Sequence, residues 1–199
     1  MTKSKADKLR HLAAKRQVIT AADAKQLGVP RTYLSRLVRR GQLEKIARGL
    51  YTSPAFSPSE HASLVEASYQ APKGIICLLS ALRFHNLTTQ SPREVWMAID
   101  HKAWAPKISA PPVRFVRMSG PALQFGAFEH HVSGRVIRVF TTAKTVADCF
   151  KFRYKIGLDV AIEALKESRR LKKASVDELW AAAKVCRVSK VIRPYLESL

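Results

Sequence analysis

The stretch Thr20-Ala-Ala-Asp-Ala-Lys-Gln-Leu-Gly-Val-Pro-Arg-Thr-Tyr-Leu-Ser-Arg-Leu-Val-Arg-Arg-Gly41 decides how this chain is read. Thr20 is a good N-cap, and Asp23 places a carboxylate in the first turn behind it. A helix is expected over 21–27, stopped by Gly28, which tolerates the left-handed conformation. Pro30 suits a helix start, where its missing N–H costs nothing, so a second helix is expected over 30–40, stopped by Gly41. With Thr20 as position one, Ala24 is fifth, Gly28 ninth, Val29 tenth, Leu34 fifteenth and Leu37 eighteenth. A helix-turn-helix needs a small residue where its helices cross, a Gly in its turn and apolar anchors at the later positions. Every one of those places is filled.

Working outward, Lys3 to Ala14 reads as an amphipathic helix with Leu9, Leu12, Ala6 and Ala13 on one stripe. On the other side, Leu43, Ile46, Leu50 and Tyr51 surround Arg48-Gly49, a hairpin with its tip there. The unit therefore reads as a winged helix-turn-helix. On the third helix, Leu34, Leu37 and Val38 point inward. Arg31, Thr32, Tyr33, Ser35, Arg36, Arg39 and Arg40 are left outside. The N-terminal part of such a helix meets base edges in the major groove, so Arg31, Thr32, Ser35 and Arg36 are the expected readers. Arg36 suits bidentate pairing with guanine. Arg39, Arg40, Lys45 and Arg48 suit phosphates and set register. Tyr33 suits a phosphate or a thymine methyl.

Charge agrees with this. The 199 residues hold 35 Lys+Arg against 15 Asp+Glu, a formal net charge of +20, which points to a polyanionic partner. Residues 1–55 hold 13 of those cations and 3 of the acids. Half the net charge thus lies in about a quarter of the chain. Tyr51-Thr-Ser-Pro-Ala-Phe-Ser-Pro-Ser59 follows, with the punctuation of a linker. Two domains are expected: 1–55, the DNA-binding winged helix-turn-helix, and 56–199.

The second part reads as a mixed α+β domain with a helical tail. Helices are expected over 59–70, 80–87, 142–155, 158–171, 176–185 and 188–199. Strands are expected over 94–99, 113–116, 127–132 and 135–140, the last two as a hairpin around Ser133-Gly134. Arg169, Arg170, Lys172 and Lys173 form a basic knot between two helices, either a solvated helix end or a nucleic-acid surface. Trp96 and Trp104 flank a strand end, as core or as contact.

Catalytic patterns are missing. No Gly-Ser with paired Asp, no phosphate-cradling Gly-rich loop and no Asp…Glu-x-Lys set occurs. His130-His131 alternate across a strand, so their rings face opposite ways. His85 reads as a satisfied core or interface histidine. Thr145 and Asp148 read as polar anchors for the hairpin. Cys77, Cys149 and Cys186 are too scattered for a disulfide framework or a zinc site and read as small core residues. No enzyme, cofactor or metal is expected. No apolar run is long enough to span a membrane, and no apolar leader opens the chain, so a cytoplasmic location is expected.

The order of motifs also resembles a known family. Arg-Gly-Leu-Tyr (Arg48 to Tyr51) closes the basic unit. Ser-Ala-Leu-x-x-His-x-Leu follows at Ser80 to Leu87. Later come Val-Phe-Thr-Thr-Ala-Lys-Thr-Val-Ala-Asp (Val139 to Asp148) and Gly-Leu-Asp-Val-Ala-Ile-Glu-Ala-Leu (Gly157 to Leu165). Together these resemble the AbiEi antitoxins of type IV toxin–antitoxin systems. The resemblance implies a transcriptional repressor and antitoxin in one chain, acting in phage defence. It implies binding to inverted repeats of double-stranded DNA in its own promoter, with dimerisation or cooperative assembly there. It further implies that the C-terminal domain neutralises a nucleotidyltransferase-like toxin, without need of a stable complex. An RNA-binding or nuclease-associated winged helix is the alternative from the residues alone.

Overall fold

The computed structural model describes residues 5–15, 18–47, 49–54, 60–132 and 135–198. The chain is a mixed α+β protein that divides into two units. The first comprises residues 1–66 with 131–136; the second comprises 67–130 and 137–199. The expected domain boundary at 55/56 and the turn at Ser133-Gly134 lie outside the described residues.

In the first unit, α1 (Lys5–Lys15) leads to β1 (Ile19–Thr20), α2 (Ala21–Gln26) and α3 (Arg31–Arg39). Then come β2 (Glu44–Ala47) and β3 (Leu50–Thr52), in an antiparallel sheet of order β1-β3-β2. The core takes Leu9 and Ala13 from α1, Ala24 from α2, Leu34 and Leu37 from α3, with Ile19, Val29 and Leu43. These are the i, i+3 and i, i+4 spacings that align side chains on one helix face. Each buried Leu supplies about 1.5–3 kcal/mol of hydrophobic stabilisation. The two-residue β1 is too short for any periodicity to announce it.

Helix α4 (Ala62–Gln70) crosses the division at 66/67. The second unit continues with β4 (Ile75–Ile76), α5 (Leu78–Phe84), β5 (Val95–Asp100), β6 (Val113–Met118) and α6 (Pro121–Gln124). It closes with β7 (Ala127–Val132), β8 (Arg135–Phe140), α7 (Thr142–Lys151), α8 (Arg153–Ile156), α9 (Leu158–Arg170), α10 (Val176–Cys186) and α11 (Ser189–Glu197). The sheet order is β6-β5-β4-β8-β7. Strand β5 runs parallel to β6, from Val95↔Val113 to Asp100↔Met118, and β4 runs parallel to β8 through Ile76↔Val139. Parallel neighbours need a long crossover, usually helical. Between β5 and β6 the chain makes that crossing without a helix, through a stretch broken by Pro106, Pro111 and Pro112.

Two expected boundaries shift for local reasons. The helix expected over 142–155 breaks after Lys151, and Gly157, at φ 98°, ends the short α8 that follows. The apolar run 75–79 divides: Ile75 and Ile76 pair within the sheet, whereas Leu78 already opens α5. Trp96 is buried, with the Arg114 guanidinium 4.9 Å from its ring centroid; Trp104 is 95% exposed. All three cysteines are free and buried.

Helix α7 is buried from Thr142 to Phe150, so its polar residues must satisfy one another. Thr145 Oγ1 donates to the Phe140 carbonyl at 3.3 Å and so anchors the end of β8. Lys144 and Asp148, both 0% exposed, pair across one helical turn, and Cys186 Sγ reaches Asp148 at 3.3 Å. Burial pushes the Asp148 carboxyl above its ordinary range, and the Lys144 ammonium opposes that rise. The Lys144 ammonium also lies 4.1 Å from the Phe140 ring centroid. Stranding one buried charge costs about 3–5 kcal/mol, whereas an apolar pair of similar volume is nearly neutral. Urea unfolding is therefore expected to show Asp148→Ala destabilised by about that amount, and Lys144→Met/Asp148→Leu close to the starting protein.

Candidate nucleic-acid interface

The turn between α2 and α3 is built from the side chains that announced it. Thr20 Oγ1 accepts the Asp23 N–H at 3.0 Å, and Asp23 Oδ2 accepts the Thr20 N–H at 2.7 Å, a reciprocal capping box. Gly28 takes φ 68°, and the Val29 N–H then reaches the Ala24 carbonyl at 2.8 Å. Pro30 is the N-cap of α3, so the helix opens at Arg31, one place after the expected start. Ala24 is fully buried, the small residue this turn calls for.

Helix α3 has nine residues, about 13 Å of axis, and a helix about 10–12 Å across is what a major groove about 12 Å wide admits. Arg31, Thr32, Ser35, Arg36, Arg39 and Arg40 are all exposed. Among the described residues, none of the four arginines pairs with a carboxylate. Tyr33 departs from the outward placement read for it. It is half-buried against the Leu34–Leu37 core, with the Arg36 guanidinium 5.7 Å from its ring centroid. Its ring shapes the base of the Arg36 side chain more than it presents a surface of its own. Lys45 is exposed on β2, opposite Tyr51 on β3, next to a register shift before Ala47. Arg48 lies outside the described residues.

One functional side chain in this unit was not legible in the sequence. Arg135 donates to the Val18 carbonyl at 2.9 and 2.8 Å and pairs with Asp23. It lies 112 positions from Asp23, and no local pattern ties the two together. Burial works to raise the Asp23 carboxyl, but the bonds from Arg135 and Thr20 outweigh it and hold the group below its ordinary value. A lowered carboxyl contributes stability above the unfolded value, about pH 4, and loses it as pH falls through the folded value. Stability of this unit is therefore expected to fall on acidification below about pH 4, and Asp23→Asn is expected to flatten that limb. Thr20→Ala is expected to cost about 1 kcal/mol in urea unfolding.

In the second unit the basic knot is largely committed to its own neighbourhood. Arg170 pairs with Glu167, Arg169 Nη1 donates to the Ala174 carbonyl at 3.2 Å, and Lys173 donates to the His85 carbonyl. Lys172, at φ 52°, sits in the turn itself. Close by, His85, His130, Phe128, Thr141 and Lys173 line a cavity of about 490 Å³. His85 Nε2 lies 2.6 Å from the Phe140 carbonyl, a bond that a neutral imidazole makes as donor. His130 is half-buried and His131 exposed, in keeping with their alternation on β7. Burial holds both His85 and His130 below the ordinary histidine range. The unfolded chain therefore takes up those protons first, and stability present above about pH 6.5 is lost as pH falls. Denaturant unfolding is expected to give a smaller free energy at about pH 5.5 than at about pH 7.5, with part of that difference removed by His85→Gln. Among the described residues, no group of three or more His, Cys, Asp or Glu could hold a metal ion, and no helix is long and apolar enough to cross a membrane.

The N-terminal segment thus carries a capped helix, a glycine turn and an exposed arginine face. Residues 7–54 match the family model described as "Transcriptional regulator, AbiEi antitoxin", so the AbiEi resemblance holds over that segment. Over the whole chain the fold is similar to that of a crystal structure of the RV2827C protein from Mycobacterium tuberculosis. The TM-score is 0.62 at 15% identity, covering 100% of this chain and 78% of that one. No curated protein matches the sequence.

Proposed function

We propose that this chain is a transcriptional repressor and antitoxin of a type IV system. Its residues 1–55 form a winged helix-turn-helix that binds inverted repeats of operator DNA. The observation that carries this reading is the outer face of α3 and its C-cap, where four exposed arginines have no acidic partner among the described residues. Arg31, Thr32, Ser35 and Arg36 occupy the N-terminal half of the helix and meet base edges, with Tyr33 bracing Arg36. Arg39, Arg40 and Lys45 meet phosphates, as does Arg48, which lies between β2 and β3 in the sequence. The antiparallel β2–β3 pair directly after α3 supports that wing.

Residues 56–199 form the antitoxin domain. The word antitoxin in the description of the family matched at residues 7–54 is what suggests this second half of the reading, in which a nucleotidyltransferase-like toxin is neutralised functionally rather than by a lasting complex. Copies assemble cooperatively on the repeats. The catalytic chemistry then resides in the toxin and not in this chain, which works in the cytoplasm.

Mobility-shift titration of the native promoter against scrambled duplex at about 150 mM salt tests DNA reading. The expected result is a clear preference for the promoter, with log affinity falling against log salt by about 0.9 per phosphate contact. Arg36→Ala is expected to cost about 1–3 kcal/mol on the specific site and to relax the preference. Arg39→Ala is expected to weaken both duplexes alike. Equal affinity of the unaltered protein for both duplexes overturns the proposal. For the antitoxin half, co-expression with the neighbouring toxin gene is expected to restore growth.

A further inference from the structure

The second unit holds a concentration of charge that no stretch of sequence reveals. A cavity of about 560 Å³ is lined by Lys151, Lys184 and Arg187, with Ser119, Gly120 and Pro121 across from them. Lys151 stands in the last turn of α7, Lys184 in the last turn of α10, and Arg187 is the C-cap of α10. Among the described residues, no carboxylate lines the cavity. Among the described residues, none of the three cations donates a side-chain hydrogen bond or forms an ion pair. Asp148 is the acid whose carboxyl feels the Lys151 charge, and it is buried and already taken by Lys144.

A cation at a helix end has an ordinary use, to offset the partial negative charge of the last carbonyls. Here the main chain has done much of that work. The Phe152 N–H closes on the Asp148 carbonyl at 2.8 Å, the Arg187 N–H on Lys184 at 3.1 Å and the Val188 N–H on Ala183 at 2.9 Å. Two helix ends amount to roughly one negative charge, against three full positive ones. Arg187 also sits at φ 59°, a left-handed conformation that costs a side-chain-bearing residue about 1–2 kcal/mol. Glycine or asparagine caps a helix there more cheaply, so arginine at this place brings its guanidinium at a backbone cost.

We infer that this concavity binds a compact oligophosphate, as free pyrophosphate or tripolyphosphate or as the phosphate tail of a nucleotide. Its volume falls in the range of small-molecule sites, about 300–1,000 Å³. Guanidinium and ammonium groups together match several phosphate oxygens at once. No aromatic ring lines the walls, so nothing there stacks a base, and the phosphates alone are read.

Calorimetric titration of the full chain with sodium tripolyphosphate at about 150 mM salt is the test. One site per chain is expected, with ATP within about threefold of tripolyphosphate and AMP at least tenfold weaker, since charge-assisted bonds set the affinity. Lys184→Gln/Arg187→Asn is expected to lose at least about tenfold, and Lys184→Arg to stay near the starting affinity. Circular dichroism spectra checked beforehand show that each variant is folded. Lys102→Gln/Lys166→Gln, two exposed cations of the same unit away from the cavity, and Arg36→Ala are expected to leave the titration unchanged. An equal loss in either control means a diffuse field and overturns the site. A duplex affinity that falls as far as the tripolyphosphate affinity in Lys184→Gln/Arg187→Asn makes the cavity a nucleic-acid surface and overturns it too. The inference stands apart from DNA reading by α3, which the mobility-shift titration decides by itself.

Discussion

A helix sunk in a core from Thr142 to Phe150 has no water for the charges in that span, and α7 carries two there, Lys144 and Asp148. The Lys144–Asp148 pair is the constraint on which the second unit is built. It spans one helical turn, so neither member can move without stranding the other. Its neighbourhood follows from it. Phe140 offers a ring face to the ammonium, Cys186 brings α10 to the carboxylate, and small residues such as Ala161, Ala164, Ala182 and Ala183 let α9 and α10 come close. Asp148, read in sequence with Thr145 as a polar anchor, is locked to Lys144 inside the core.

The first unit solves a different problem with smaller means. Its core is thin, and its helices are six to eleven residues long, below the length at which isolated helices hold in water. Capping therefore matters more than propensity. Thr20 and Asp23 hold the start of α2, and Arg135 adds a bond to the same carboxylate and to the main chain beside it. The consequence is a fixed platform beneath α3, whose arginines are spent on nothing inside the protein.

Much of this was legible because the signals are local. Caps, glycine turns and apolar spacing act within a few residues, so the helices of the first unit and the placement of Ala24, Leu34 and Leu37 could be read directly. The hairpin strands and most of the long helices of the second unit followed from the same kinds of pattern. Tyr33 was misjudged because a ring at the edge of a face can fold back onto its neighbours. Strand β1 and helix α6 were too short to show periodicity, and α8 was merged with α7 because no strong breaker precedes Gly157. Sequence reading also singled out Arg169 to Lys173, as a solvated helix end or a surface, since contiguous cations are conspicuous. The structure commits three of those four to local bonds. It assembles Lys151, Lys184 and Arg187 from separate helix ends, a grouping that only long-range packing creates.

The unpaired arginines of α3 have a further effect on how copies of this chain meet. With +20 on each molecule and little internal neutralisation on that face, two free copies repel one another wherever such faces approach within a Debye length, about 8 Å in physiological salt. A polyphosphate backbone reverses the sign of that interaction by supplying the missing negative charge to both. The repulsion between two such faces weakens wherever a polyanion has already discharged them.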